Sequence, residues 1–161
     1  MVSWQTKALN RVLHWTIKRV MSGTGTVQQT RRFIEVKGKP RLPPGVEMQP
    51  VLANAFRGEW VRTPESTDER TLLYLPGGGF MLPASSQVPL MVARINREAR
   101  TRALLVHYRL APEHPFPAAV DDTWAALRHL HAQGAALGLD TTRMAVGGDS
   151  AGGTLAAVAA I

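Results

Sequence analysis

The chain of 161 residues contains no cysteine, few aromatic residues and no long apolar run. The absence of cysteine excludes disulfides, thiolate metal sites and a cysteine nucleophile. No segment is long and apolar enough to cross a bilayer, and the basic residues Lys7, Arg11, Lys18 and Arg19 interrupt the apolar core that a secretory signal would need. We therefore expect a cytoplasmic globular protein without a metal site.

Acidic residues are also scarce, since 12 Asp and Glu stand against 19 Lys and Arg, for a net charge of +7. A basic surplus of this size can bind nucleic acid. Here the basic pairs Lys18-Arg19 and Arg31-Arg32 are isolated, and no basic run alternates with aromatics that could stack on bases. We interpret the surplus as a solvated surface and expect no nucleic-acid partner.

The N-terminal part differs in pattern from the remainder of the chain. Apolar residues recur at helical spacing from Ser3 to Met21, which predicts an amphipathic helix. The stretch "MSGTGT" should break that helix, and the prolines of "GKPRLPPGV" predict a linker or turn. We expect an N-terminal helical segment with its linker over residues 1–45 and a main domain over residues 46–161.

Short apolar strands and helical patterns alternate along the main domain. Strands are predicted at Met48–Phe56, Glu59–Thr63, "TLLYL", "RALLVHY" and "RMAVGG", with one helix over about 85–99 (apolar at Leu90, Ala93 and Ile95) and another over 117–133 (stripe Val120, Trp124, Leu127, Leu130). The later order of strand, helix, strand, helix, strand implies parallel strands with crossover helices. The predicted fold class is therefore α/β.

A serine flanked by glycines carries the clearest chemical signal. Residues Gly148-Asp149-Ser150-Ala151-Gly152 follow the pattern G-x-S-x-G, between an apolar strand and an alanine-rich helical stretch. A strand-to-helix turn this tight needs glycines two positions before and after the serine to avoid clashes. Ser150 is the predicted nucleophile, and the N–H of Ala151 at the helix start can face a developing oxyanion.

A glycine triplet follows the "TLLYL" strand, at Gly77-Gly78-Gly79-Phe80. Consecutive glycines let a loop present bare backbone N–H groups to a substrate carbonyl. Such a triplet is usually only a flexible turn, but about seventy residues before a nucleophile turn it is the expected second half of an oxyanion hole.

Together with "YRLAPEHPFPAAVDD" between them, these motifs resemble the hormone-sensitive-lipase-like esterases of the α/β-hydrolase superfamily, in the branch with GDSAGG. The resemblance runs from about Thr71 to the end and implies the N-terminal half of that fold. It also implies a cofactor-free carboxylic-ester hydrolase for small acyl esters, with an acyl-enzyme on Ser150 and an oxyanion hole from Gly78, Gly79 and Ala151. The N-terminal helix would then belong to a cap, or alternatively lie on a membrane surface.

Two positions depart from the family pattern. Pro76 precedes the glycines where the family usually has histidine, so the side-chain hydrogen bonds that hold the loop should be missing. His107 precedes the "YR" pair where the family tends to have aspartate, which should alter the packing of that loop.

The partners that would activate the serine are not evident. In this superfamily an acid and then a histidine follow the nucleophile, yet only "AGGTLAAVAAI" follows Ser150. His107 and His114 could approach the pocket, although packing or hydrogen bonding is the default reading. We expect His129 and His131 on a helix surface, His14 in the N-terminal helix, and Asp149 in a structural hydrogen bond or as a helix-terminal charge.

Two hypotheses remain open. The chain is either the N-terminal portion of an esterase, inactive alone because the triad acid and histidine are absent, or a truncated non-catalytic relative that acts as an interaction module or is a degenerate reading frame. In both cases the strand before Ser150 should form an unpaired sheet edge, through which the chain should self-associate by aggregation or domain swapping, or should need a partner.

Overall fold

The computed structural model describes residues 3–21, 26–35, 42–51 and 53–161. The chain divides into one unit over Met1–Val36 and a second over Lys37–Ile161. Most of the predicted break at "MSGTGT" and the first half of the predicted linker lie outside the described residues, so the boundary near residue 45 stays a prediction. Among the described residues, no helix combines the length and hydropathy needed to cross a membrane.

The first unit contains two helices, α1 (Trp4–Met21) and α2 (Val27–Glu35). Helix α1 confirms the prediction, and the Oγ of Ser3 caps it by accepting a hydrogen bond from the N–H of Thr6 at 3.2 Å. Helix α2 was not predicted. Its start is a reciprocal cap, because the N–H of Gln29 donates to Thr26 Oγ1 and the N–H of Thr26 donates to Gln29 Oε1. The spacing T-x-x-Q was the sequence signal for it.

The second unit is a five-stranded sheet with helices on it. Its elements are β1 (Glu47–Pro50), β2 (Gly58–Arg62), β3 (Thr71–Leu75), α3 (Val88–Ala99), β4 (Arg102–Val106), α4 (Ala118–Gln133), β5 (Met144–Gly148) and α5 (Ala151–Ala159). The strand order is β1-β2-β4-β3-β5. Strand β3 pairs in parallel with both β4 and β5, which confirms the predicted crossover topology, whereas β1 and β2 pair antiparallel.

The first predicted strand is too long. It was expected over Met48–Phe56, but β1 ends at Pro50. One more bond joins the N–H of Val51 to the carbonyl of Gly58 at 2.9 Å, after which the chain leaves the sheet. Phe56 then lies in the core, where only 5% of its surface is exposed. A strand that continued along the sheet edge would not bury this side chain as well.

The core lies on both faces of β3 and β4, whose residues are all buried. One face packs with α4 and α5 and includes Leu73, Leu75, Leu104 and Val106; the other packs with α3 and includes Leu72, Tyr74, Ala103 and Leu105. Because both faces of β3 and β4 are buried, the sequences of these strands are continuous apolar runs and do not alternate between apolar and polar residues.

The predicted apolar faces of the helices are only partly right. On α3, Ile95 is 37% exposed while the polar Asn96 is fully buried. The side-chain amide of Asn96 donates to the carbonyl of Val61 at 2.7 Å, and its oxygen accepts from the hydroxyl of Thr101 at 2.8 Å. On α4, Trp124 is 38% exposed although it belonged to the predicted stripe.

Strand β5 occupies one edge of the described sheet, as the sequence predicted. Its residues are half-buried or exposed, in contrast to the fully buried β3 beside it. From β3 the chain crosses to β4 on one side and later returns to β5 on the other. The loop after β3 leads to α3 on one face of the sheet, whereas β5 continues into α5 on the opposite face. The carboxyl ends of β3 and β5 are adjacent, and open α/β sheets bind their ligands at such a position.

Substitution of the buried asparagine tests this packing. We expect Asn96→Ala to lower the free energy of unfolding by about 2 kcal/mol, because the Val61 carbonyl and the Thr101 hydroxyl lose their buried partner. Arg94→Ala, at an exposed position of the same helix, should change it by less than about 0.5 kcal/mol. Urea unfolding measures both, and equal losses would contradict the assigned role of Asn96.

Candidate functional site

Ser150 lies at the turn between β5 and α5 with φ 50° and ψ −120°. A positive φ is uncommon for a residue other than glycine, and strain of this kind costs on the order of 1–3 kcal/mol and concentrates at functional sites. Ser150 is exposed and immediately precedes Ala151, the first residue of α5. The positive end of the helix dipole therefore lies beside it.

The two glycines that flank the serine let the turn pack directly on the end of β3. A Cβ at Gly148 would lie 2.5 Å from the carbonyl oxygen of Leu75. A Cβ at Gly152 would overlap that same oxygen and lie 2.8 Å from the carbonyl carbon of Pro76. The requirement for glycine at both positions is confirmed, because backbone already fills the space of a side chain.

The glycine loop after β3 forms a tight turn. Gly78 and Gly79 have φ values of 145° and 59°, and the carbonyl of Gly78 accepts hydrogen bonds from Met81 at 3.1 Å and Leu82 at 2.8 Å. Within the part of the chain that the structure describes, the amides of Gly78, Gly79 and Ala151 donate no hydrogen bond. Three amide donors without a protein acceptor among the described residues thus lie at the carboxyl ends of neighbouring strands.

Side chains hold the start of this loop, although Pro76 stands where a histidine was expected. The carboxylate of Asp149 accepts hydrogen bonds from the N–H of Gly77 at 2.9 Å and from the hydroxyl of Tyr74 at 3.1 Å. The hydroxyl of Tyr108 donates to the carbonyl of Pro76 at 2.6 Å. The structural role predicted for Asp149 is confirmed, and the expectation of a loop without side-chain hydrogen bonds is wrong.

Both tyrosine hydroxyls remain protonated over a wide range of pH. Burial, together with the hydrogen bond to Asp149, raises the pKa of Tyr74 to about 12. Burial and the nearby charge of Asp149 raise the pKa of Tyr108 to about 12 as well. Each hydroxyl is therefore a permanent donor near neutral pH.

An ion pair anchors the segment "YRLAPEHPFPAAVDD" to α4, a contact that the sequence reasoning missed. The buried carboxylate of Asp122 accepts from the backbone N–H of Arg109 at 2.7 Å and from its Nε at 2.9 Å. Because Tyr108 is the neighbouring residue, this pair also supports the hydroxyl that holds Pro76. The signal was present as an arginine and an acid thirteen residues apart, but the sequence alone does not pair them.

Of the two histidines considered near the pocket, His107 has a carboxylate partner of its own. Its Nε2 lies 2.9 Å from Oε2 of Glu59, and the two side chains form a surface pair. The expected effect of His107 on the packing of the loop stays a prediction. His114 is exposed at the rim of a cavity described below. Within the described residues, no histidine and no carboxylate forms a hydrogen bond with the side chain of Ser150.

The remaining histidines belong to helices α1 and α4. His131 is exposed on α4, as predicted, and His14 is exposed on α1. His129 was also expected at the surface, but it is half-buried, and its ring lies 5.4 Å from that of Phe56 in an edge-to-face contact. This contact explains its burial, since Phe56 has left the sheet edge and packs against α4.

An apolar cavity of about 310 Å³ lies between the glycine loop, α4 and α5. Its walls include Phe80 at the end of the glycine loop, Thr154 one turn after Ser150, Val158 further along α5, and His114 and Phe116. An uncharged alkyl or aryl group fits a space of this composition.

Comparison with known proteins agrees with this architecture. Residues 72–161 match the family model of the alpha/beta hydrolase fold, and the chain belongs to that family. It is 43% identical over 97 residues to Esterase LipI of Mycobacterium tuberculosis, covering 60% of this chain and 30% of that protein. It is 41% identical over 128 residues to an acetyl-hydrolase of Streptomyces hygroscopicus, covering 80% of this chain and 40% of that protein.

A solved structure supports the narrower assignment. An esterase of the bacterial hormone-sensitive lipase family superposes with a TM-score of 0.76 and 37% identity, over 99% of this chain and 52% of that one. The predicted resemblance to hormone-sensitive-lipase-like α/β-hydrolases and the predicted fold class are confirmed. The chain spans about half the length of this solved relative and less of the two curated ones.

The close packing of the turn on β3 predicts a large effect of a single methyl group. Gly152→Ala should lower the free energy of unfolding by about 3 kcal/mol or more, because its Cβ would overlap the backbone of Leu75. Gly147→Ala is the matched control, since its Cβ would meet only Leu72 Cδ1 at 3.6 Å. Urea unfolding of both variants measures the difference; a Gly152→Ala variant as stable as Gly147→Ala would refute the packing.

The raised tyrosine pKa values predict the alkaline titration. Tyr74 and Tyr108 are the two tyrosines of the chain, so the increase in absorbance near 295 nm at alkaline pH reports their ionisation. At pH 11 we expect the folded chain to show about one tenth of the tyrosinate signal of the unfolded chain. The protonated hydroxyls should stabilise the fold fully below about pH 10, and this contribution should be lost as the pH rises towards about 12. A folded chain with a midpoint near pH 10 would contradict this.

Proposed function

We propose that this chain carries the nucleophile and the oxyanion-binding amides of a carboxylic-ester hydrolase. The observation that carries the proposal is the juxtaposition of Ser150, in a strained turn after β5, with a glycine loop after the adjacent parallel strand β3. The free amides of Gly78, Gly79 and Ala151 support it, as do the names of the relatives, which are an esterase and an acetyl-hydrolase.

In this proposal Ser150 Oγ attacks the ester carbonyl carbon, and its proton passes to a base. The carbonyl oxygen becomes an oxyanion that accepts hydrogen bonds from the amides of Gly78, Gly79 and Ala151, each worth about 3 kcal/mol in the transition state. Collapse of the tetrahedral intermediate breaks the bond between the acyl carbon and the alcohol oxygen, the base gives its proton to that oxygen, and the neutral alcohol leaves behind an acyl-enzyme. Water then attacks the acyl carbon and releases the acid and the free serine.

We further propose that the base and its orienting acid come from residues other than those of this chain. The superfamily order of serine, acid and histidine supports this, because residues 151–161 contain neither an acid nor a histidine. The solved relative is about twice as long as the matched region, which leaves room for both groups. On this proposal the chain alone reacts only slowly at Ser150.

The proposed substrate class is small acyl esters with short- to medium-length chains. The apolar cavity of about 310 Å³ beside Phe80 and Thr154 supports an uncharged acyl or alcohol group. The acetyl-hydrolase among the relatives supports a short acyl group. No cofactor enters the proposed reaction, and we propose a cytoplasmic location.

A second candidate function, interaction without turnover, rests on the open edge of β5. Its residues Met144–Gly148 include no charge and no proline, the devices that usually protect an edge from pairing. We propose self-association through this edge. Separately, we propose weak contact of α1 in the N-terminal unit with a membrane surface. A monomeric chain that forms a slow covalent adduct at Ser150 favours the hydrolase over this candidate.

A fluorophosphonate probe with mass detection tests the proposed function. We expect an adduct on Ser150 that forms at least about a thousandfold more slowly than on the full-length acetyl-hydrolase relative, because no base is available. Ser150→Ala should form none, and Ser85→Ala, at another exposed serine, should match the parent chain. Rapid stoichiometric labelling of the monomer would contradict the claim that the chain lacks the base. Labelling no greater than that of Ser150→Ala would contradict the claim that Ser150 is the nucleophile.

A further inference from the structure

One peptide group at the start of the glycine loop is held at both ends. The carbonyl of Pro76 accepts a hydrogen bond from the hydroxyl of Tyr108 at 2.6 Å. The N–H of Gly77, which belongs to the same peptide group, donates to Oδ1 of Asp149 at 2.9 Å. Because a peptide group is planar, bonds at its two opposite ends determine the orientation of the whole plane.

The acceptor at one end is itself oriented. The hydroxyl of Tyr74 donates to the same Oδ1 of Asp149 at 3.1 Å, so both tyrosines of the chain direct their hydroxyls to this peptide group or its acceptor. A Cβ on Gly77 would overlap Oδ2 of Asp149 and lie 3.0 Å from its carbonyl oxygen. Asp149 immediately precedes Ser150, and these contacts therefore join the serine turn to the glycine loop.

The loop is anchored at its buried end and open at the other. Pro76 and Tyr108 are buried, whereas Gly79 is exposed. Consecutive glycines have more accessible backbone conformations than any other residues, so the loop has little intrinsic preference for one arrangement of its amides. A hydrogen bond to a charged acceptor is stronger than a neutral one and can select one arrangement.

We propose that Asp149 and Tyr108 are positioning residues, which orient the Pro76–Gly77 peptide and through it the amides of Gly78 and Gly79. The proposal rests on the oxyanion role proposed above for those two amides. Neither side chain touches the substrate, and Asp149 acts as a hydrogen-bond acceptor rather than as an acid or base. The chain thus holds the loop without a histidine at position 76.

Side-chain variants separate this role from a general contribution to α5. The backbone carbonyl of Asp149 accepts from the N–H of Gly152 at 2.8 Å, and every variant retains that bond. Asp149→Asn keeps an oxygen acceptor for Gly77, and Asp149→Ala removes it. Asp140→Ala is a matched control, because the Asp140 carboxylate accepts from the backbone N–H of Thr142 at 2.9 Å in another loop.

Amide hydrogen exchange and NMR on the full chain test the positioning directly. We expect Asp149→Ala to accelerate exchange at Gly77 about tenfold or more, and Asp149→Asn to stay within about threefold of the parent. Tyr108→Phe should shift the resonances of Gly77, Gly78 and Gly79, while Asp140→Ala leaves all three unchanged. The proposal would be overturned if exchange and resonances were unchanged in both Asp149→Ala and Tyr108→Phe. If Tyr108→Phe does not fold, the comparison of Asp149→Ala with Asp149→Asn tests the proposal by itself.

The rate of fluorophosphonate labelling at Ser150 tests the consequence for reactivity. Asp149→Ala should lower this rate about tenfold, with Asp149→Asn within about threefold of the parent. Altered amides with an unaltered labelling rate would overturn the positioning role. If the parent chain is not labelled at Ser150, the proposed function fails while the exchange result still decides whether the two side chains orient the loop, so the two failures are distinguishable.

Discussion

The candidate site depends on the contact between the serine turn and the end of β3. Backbone atoms of Leu75 and Pro76 occupy the space of a side chain at Gly152, and the Leu75 carbonyl does the same at Gly148. A contact this close is available only between bare backbones, and it brings the loops after two neighbouring parallel strands together. The positive φ of Ser150 is tolerated because this packing leaves the turn no alternative path.

The stretch "YRLAPEHPFPAA" supports the glycine loop through hydrogen bonds. Tyr108 holds the carbonyl of Pro76, and the next residue, Arg109, is fixed by the buried carboxylate of Asp122 on α4. The stretch therefore ties the glycine loop to a helix packed in the core, and its residues His114 and Phe116 also line the apolar cavity.

Much of the fold was predictable where the pattern is local. The runs "TLLYL" and "MAVGG" form strands because continuous short apolar segments suit parallel strands, with both faces buried in the first case. The buried faces of α3 and α4 were predicted less well, since Asn96 is buried through hydrogen bonds to Val61 and Thr101 that belong to other elements. Phe56 left the sheet for the same kind of reason, a packing partner on α4.

The sequence by itself determined the candidate residues for the proposed chemistry, Ser150 and the glycines before and after it, because a tight strand-to-helix turn and a loop of bare amides each demand particular residue types at fixed spacing. Only the tertiary structure decided what holds them. Tyr74, Tyr108 and Asp149 lie up to 75 residues apart, and their hydrogen bonds form because the parallel order of β4, β3 and β5 places the ends of these strands side by side. Local spacing carries no information about such pairings.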